Sequence, residues 1–344
     1  MKRTGRILAL GLGTLGLLLG VFPRDGAGLT KVHTSNFNAL HMTVVYVAKE
    51  NGLFAKEGLD YQISLAKAGG LVTTALIAEK TEVSTSTTVR ESVLLRQRGK
   101  KTIGFYSLAN RMIMDLIVRE NVVQARSLRR DMPLGDRYKA LKGLKIGISA
   151  PGALSDVVVR YYMRRAGLDP DRDAQLIPVG GANLSPSLRT GRIDAYVLSA
   201  PGPHWLEKEG HGKIIIKSSA GDVPEFRDYH YLAIVVRQDW LERNEKTVRA
   251  ISRAMNAANR LWRNNVKVAV DAAQKRFPGI PREILALSID ALKDSLSADG
   301  MISSKAVQNA MDLLHGMEPE KFPKSDLDPR EGVHYTNKYN PNAS

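Results

Sequence analysis

Leu144-Lys145-Ile146-Gly147-Ile148-Ser149-Ala150-Pro151-Gly152 is followed by Leu154, Val157, Val158, Tyr161 and Tyr162 at helical spacing. The first five residues read as a strand, the next four as a tight turn and the remainder as a helix with one apolar face. That unit is the repeating element of α/β proteins with largely parallel sheets. The theme extends in both directions. Residues 39–51, 71–78, 91–98 and 185–190 read as helices, and residues 60–65, 82–86, 175–179, 193–198, 213–217 and 231–236 as short strands. Residues 240–274 carry Leu241, Val248, Ile251, Met255, Ala258 and Leu261 on one face, the pattern of one long amphipathic helix closed by Pro278 and Pro281. Two further helices are expected over 284–296 and 304–314. From Glu318 onward the chain turns to Pro, Lys, Asp and Asn with few apolar residues, so 318–344 reads as an extended C-terminal tail.

The chain has 344 residues, material for two domains at roughly 150 residues each. An apolar content of 43% with 25% charged residues is that of a globular protein and excludes a collagen or a multi-pass membrane protein. With no cysteine, disulfide scaffolds, thiolate metal sites and cysteine nucleophiles are excluded together. The N-terminus has Lys2, Arg3 and Arg6 ahead of an uncharged stretch from Ile7 to Phe22 and the small residues Gly26 and Gly28. This is the pattern of a secretory signal peptide over 1–28, with cleavage before Leu29 and a periplasmic destination. Four cations and one carboxylate leave with it, taking the net charge from +15 to +12.

Several motifs fail their own structural tests. Gly11-Leu12-Gly13-Thr14-Leu15-Gly16 matches a dinucleotide fingerprint but sits in the leader with no preceding strand. Gly147-Ile148-Ser149-Ala150-Pro151 approaches a nucleophile elbow, but Pro151 stands where glycine is required, so no enzyme is read here. His204, Glu207, Glu209 and His211 lack the spacing of a preformed metal site and read as solvated surface beside Gly210 and Gly212. Neither a metal nor another cofactor is expected. Aromatic residues make up only 6% and the cations are scattered, which argues against nucleic acid as the partner of the positive charge.

The stretch from Ala39 to Asp60, with Ala48-Lys49-Glu50-Asn51-Gly52-Leu53-Phe54-Ala55-Lys56-Glu57-Gly58-Leu59-Asp60 at its end, resembles the opening of ABC-transporter substrate-binding proteins of the nitrate, sulfonate, taurine and thiamine-precursor group. Leu141 to Gly147, Arg165 to Pro170 and Gly191 to Ala195 are similar to that group's middle motifs, in the same order. The likeness runs from about Lys31 to Leu314. It implies a two-lobed periplasmic-binding-protein fold (type II), each lobe a mostly parallel sheet flanked by helices. Lobe I would comprise 29–108 and 232–317, and lobe II 109–231. It further implies a monomer that closes on a small anionic solute in the interlobe cleft and delivers it to an ABC permease in the inner membrane; a protein reporting ligand to a membrane sensor is the alternative. Ser84 stands where the group has an aspartate, and Arg96, Arg98, Lys100 and Lys101 form an unusually basic helix edge. The absence of cysteine excludes the group's thiamine-precursor synthases.

Ligands of open α/β sheets bind beyond the carboxyl ends of the strands, where helix N-termini present free N–H groups. Asn38 and His41 follow the first strand, Lys67 and Gly69 the second, and Thr87, Thr88 and Arg90 the third. Arg90 offers a two-point grip on a planar oxyanion. Gly152 and Ser155 open the helix of the deciding stretch, where they either hold an anion or cap the helix; Asp156 would compete with the anion. Ser199 and Tyr229 lie in the returning segments, where the aromatic ring is placed to stack on a ligand.

Overall fold

A computed structural model describes residues 28–37, 39–66 and 69–343. The leader expected over 1–28 therefore lies outside the described residues except for Gly28. Ten strands are present among the described residues: β1 (Thr30–Phe37), β2 (Leu59–Ala66), β3 (Val83–Thr87), β4 (Thr102–Ala109), β5 (Met114–Arg119), β6 (Lys145–Ile148), β7 (Gln175–Pro178), β8 (Ala195–Ser199), β9 (Gly212–Ile216) and β10 (Leu232–Arg237). They form two five-stranded sheets with the orders β2-β1-β3-β10-β4 and β7-β6-β8-β5-β9.

The two orders are the same pattern written twice. In each sheet three strands lie parallel, β1 between β2 and β3 and β6 between β7 and β8. The fourth position is taken by the strand that arrives from the other sheet and runs antiparallel to both neighbours, β10 between β3 and β4 and β5 between β8 and β9. Glu82-Val83-Ser84 and Arg192-Ile193-Asp194 take corresponding places, since both stretches lead into the third parallel strand of a sheet, β3 and β8.

The deciding stretch folds as read. Ile146, Gly147 and Ile148 are buried in β6, and the helix Leu154–Arg165 buries Val157, Val158, Tyr161 and Tyr162. Gly147 is required for close approach: a Cβ there would run into the Ile193 and Leu184 side chains. Against the first sheet, Phe54 stacks on Tyr61 at 3.9 Å, and Tyr46, Tyr106 and Trp262 are wholly buried.

Two expectations are corrected. The long helix over 240–274 is three helices, Gln238–Arg243, Glu245–Asn264 and Val266–Arg276. Both breaks fall on asparagines whose side chains bond nearby backbone in place of the helical ladder: Asn244 Nδ2 donates to the Trp240 carbonyl at 2.8 Å, and Asn265 Oδ1 accepts from the Lys267 N–H at 3.2 Å. An apolar stripe continues across such breaks and hides them.

The tail after Glu318 is extended but docked. Phe322, His334, Tyr335, Tyr339 and Asn340 are buried, and the Gly104 N–H donates to the His334 carbonyl at 2.9 Å while the Thr336 N–H donates to the Gly104 carbonyl at 2.8 Å. The tail thus covers the free edge of β4, as an exposed edge strand requires. A few widely spaced aromatic anchors suffice, which average composition does not reveal. Phe322 is 0% exposed, so Phe322→Ala is expected to cost about 3–5 kcal/mol of stability. Urea unfolding followed by circular dichroism measures it, and an unchanged midpoint would contradict the docking.

Candidate functional site

The carboxyl ends of β1 and β3 carry a buried hydroxyl-amide network. Asn36 Oδ1 accepts from Thr85 Oγ1 at 2.8 Å and from Thr34 Oγ1 at 3.2 Å. Thr87 Oγ1 lies 2.8 Å from Ser84 Oγ and 3.2 Å from Thr73 Oγ1, the latter on the helix Gly69–Ile77. Ser84 is fully buried among these hydroxyls. An ionised carboxylate at this position would need charged or multiple donors to offset its desolvation.

Of the residues expected to hold a ligand, the structure brings His41, Gly69, Thr87, Thr88 and Arg90 to the ends of the first sheet's strands, and Gly152, Ser155 and Ser199 to those of the second. Asn38 and Lys67 lie outside the described residues. Tyr229 is placed on the second crossing, between β9 and β10, with its N–H donating to the Asn110 carbonyl of the first crossing at 3.1 Å. Its ring lies 5.7 Å from Phe226 in edge contact, and burial pushes its hydroxyl pKa up. Tyr231 beside it is a core residue.

Several of these groups already have partners. Thr88 forms a capping box with Glu91, its N–H donating to the Glu91 carboxylate at 2.8 Å. Arg90 pairs with Glu318 at 3.2 Å and lies over the Phe322 ring at 5.3 Å, so its charge is held by the tail. At the second sheet, the Gly152 N–H donates to Asp156 Oδ2 at 2.7 Å and the Ser149 N–H donates to Ser155 Oγ at 2.9 Å. Ser155 Oγ and Asp156 thus both serve the backbone of the turn before the helix, and Asp156 is itself gripped by Arg160 at 2.7 Å. His41 is buried with its ring centre 6.0 Å from that of Tyr231 in an edge-to-face arrangement, and burial lowers its pKa to about 4. It therefore offers hydrogen bonds and no charge at neutral pH.

A second cluster was not expected. Asp115, on β5, is 0% exposed and accepts from the Ser219 N–H and Ser219 Oγ, both at 2.9 Å, with His204 Nε2 3.6 Å away. The Ser219 carbonyl in turn accepts from Ser295 Oγ at 2.7 Å and Arg111 Nη1 at 3.3 Å. Residues of the first crossing, the turn after β9 and the end of the helical segment near 295 are thus tied at one knot. His204 had been expected at the solvated surface; it is 3% exposed, while His211 is half-exposed beside Glu209. Only the topology assembles these residues, which are too far apart in the chain for any local spacing to signal them.

Comparison with known proteins follows the same lines. The sequence profile of the NMT1-like family matches residues 25–275. YtlA of Bacillus subtilis is 25% identical over 338 residues, spanning 94% of this chain and 96% of its own length. The bicarbonate-binding protein CmpA of Synechococcus elongatus is 24% identical over 263 residues, 70% of this chain, and the chain spans about half (56%) of its length. The periplasmic aliphatic sulphonate binding protein SsuA of Escherichia coli superposes with a TM-score of 0.68 at 16% identity, covering 90% of this chain and 99% of that one. The two-lobed fold implied by the sequence resemblance is the fold observed. Among the described residues, no helix is long and apolar enough to cross a membrane.

The buried titratable groups set an acid limit. His41, His204, His230 and His334 are each lowered from 6.5 to about 4 by burial, so between those values the unfolded chain binds protons that the native one does not. Their stabilisation is lost as pH falls through that window. Asp115 acts oppositely: raised by burial from 3.8 to about 7, it binds its proton more tightly when folded, and its contribution is lost as pH rises. Four groups outweigh one, so the melting temperature is expected to fall steadily from pH 6.5 to 4.5, and more steeply in Asp115→Asn. A flat calorimetric profile over that range would contradict this.

Proposed function

The chain belongs to the NMT1-like family, and from that membership we propose that it is the solute-binding component of an ABC importer. It captures a small anionic solute between its two lobes and delivers it to a permease in the inner membrane. The observation that carries this reading is the doubled sheet: two halves of identical strand order, joined by two crossings, each presenting the carboxyl ends of three parallel strands. Such an arrangement grips by closure and needs no reacting group. CmpA and SsuA are named for bicarbonate and sulphonate, both oxyanions, and the net charge of +15 favours an anionic partner. Export through the leader at 1–28 to the periplasm, and action as a monomer, complete the proposal.

Within the site, the roles divide by the chemistry of each side chain. Lys67 supplies the positive charge, Asn38, His41 and Ser199 supply neutral hydrogen bonds, Gly69 supplies the N–H of a helix start, and Tyr229 supplies an aromatic wall. Arg90 would meet a ligand oxyanion only in exchange for Glu318. Thr87, Thr88, Gly152 and Ser155 shape the walls on which the others stand.

The test is a thermal-shift panel on residues 29–344 with bicarbonate, nitrate, alkanesulfonates, carboxylates and pyrimidine precursors. A ligand at a hundredfold its dissociation constant adds about 2.7 kcal/mol, a rise of several degrees for a chain of this size. One responding class of anion is expected, with Lys67→Ala weakening its binding about tenfold or more, as loss of a charged hydrogen bond does. A cooperative melt that no anion shifts would overturn the small-anion reading.

A further inference from the structure

Away from the strand ends, a groove of about 470 Å³ separates the helix Leu154–Arg165 from the helix Ser304–Met317. None of the residues assigned above to the solute lines it. One wall carries Tyr161 and Arg164, and the other carries Asp312, Leu313, Gly316 and Met317. The first helix belongs to the second sheet's half. The second packs against Val89–Gln97 of the first sheet's half, so the groove spans both.

Its charges are unequally satisfied. Arg165 and Glu225 at the rim pair with each other at 3.1 Å. Arg164 has no ion pair among the described residues and donates only to the Met317 carbonyl at 3.3 Å. Asp312 likewise has none, and its carboxylate accepts only from Gln308 one turn earlier, at 2.7 Å. The groove therefore presents one exposed cation and one exposed anion on facing helices, with no ion pair between them. Tyr161, Leu313 and Met317 line the same groove.

Gly316 adds a second observation. It is the next-to-last residue of its helix, and a Cβ built on it would meet nothing within 4 Å. No steric demand of the protein requires glycine there, and its bareness enlarges the groove.

We propose that this groove binds a zwitterion with a large apolar side chain, an amino acid or a short peptide bearing one. The carboxylate pairs with Arg164, the ammonium with Asp312, and the side chain lies over Gly316 against Tyr161, Leu313 and Met317. Occupancy joins the two halves of the molecule at a place separate from the solute site.

Isothermal titration of the protein with L-phenylalanine and L-leucine tests this. Phenylpropanoate, which lacks the ammonium, and phenethylamine, which lacks the carboxylate, serve as half-ligands. One molecule of amino acid is expected per chain, with each half-ligand at least tenfold weaker. Arg164→Gln and Asp312→Asn, both on exposed side chains, are expected to weaken the amino acid by a similar factor. Gly316→Phe is expected to abolish binding by filling the groove while leaving the melting temperature unchanged or higher. Absence of binding by both amino acids, equal binding of phenylalanine and its half-ligands, or binding that survives Gly316→Phe would each overturn the proposal. Survival in Gly316→Phe together with loss in Lys67→Ala would assign the amino acid to the strand-end site instead.

Discussion

Backbone N–H and C=O groups taken from water must find partners, and here the two halves of the molecule satisfy that demand with each other's chain. β10 and β5 each lie between two strands of a sheet that the preceding segment did not build, and both are buried along nearly their whole length. Neither sheet is continuous without the strand it receives from across the molecule. The crossings therefore run into the first residues of interior strands, Met114 of β5 and Leu232 of β10, each held by a ladder on either side.

The polar chemistry follows from the same geometry. Where strands end together, their last residues are hydroxyls and amides that satisfy one another, as Asn36, Thr85, Ser84 and Thr87 do. Where the crossings meet the second sheet, Asp115, Ser219, Ser295 and Arg111 form one knot. Charged groups near these ends are taken up by internal partners, Arg90 by Glu318 and Asp156 by Arg160 and the Gly152 N–H.

Much of this was legible in the sequence because it is local. The strand of β2, the turn at Ser149 to Gly152 and the apolar stripe of Leu154–Arg165 are each written within about a dozen residues, and each folded as read. What was not legible depends on partners far along the chain. Arg90 finds Glu318 at a separation of 228 residues, and the tail's few aromatic anchors are hidden in a polar composition. His204 sits in a run that looks solvated until α/β topology brings Asp115 beside it. Asn244 and Asn265 interrupt a stripe whose apolar positions continue across them, because burial periodicity does not register a residue that bonds its own backbone.

The unequal layout of the two sheets along the chain has a consequence for how the molecule is assembled during synthesis. All five strands of the second sheet lie in one uninterrupted segment, from Met114 to Ile216. The first sheet waits for β10, and the edge of β4 waits for residues 333–336, close to the end of the chain. A chain emerging from its N-terminus therefore makes β1 to β4 first but completes that sheet last, around a half that is already formed. Until then β3 and β4 have no strand between them, and the interval in which the chain is open to wrong pairings is governed by the length of the inserted half rather than by the stability of the finished fold.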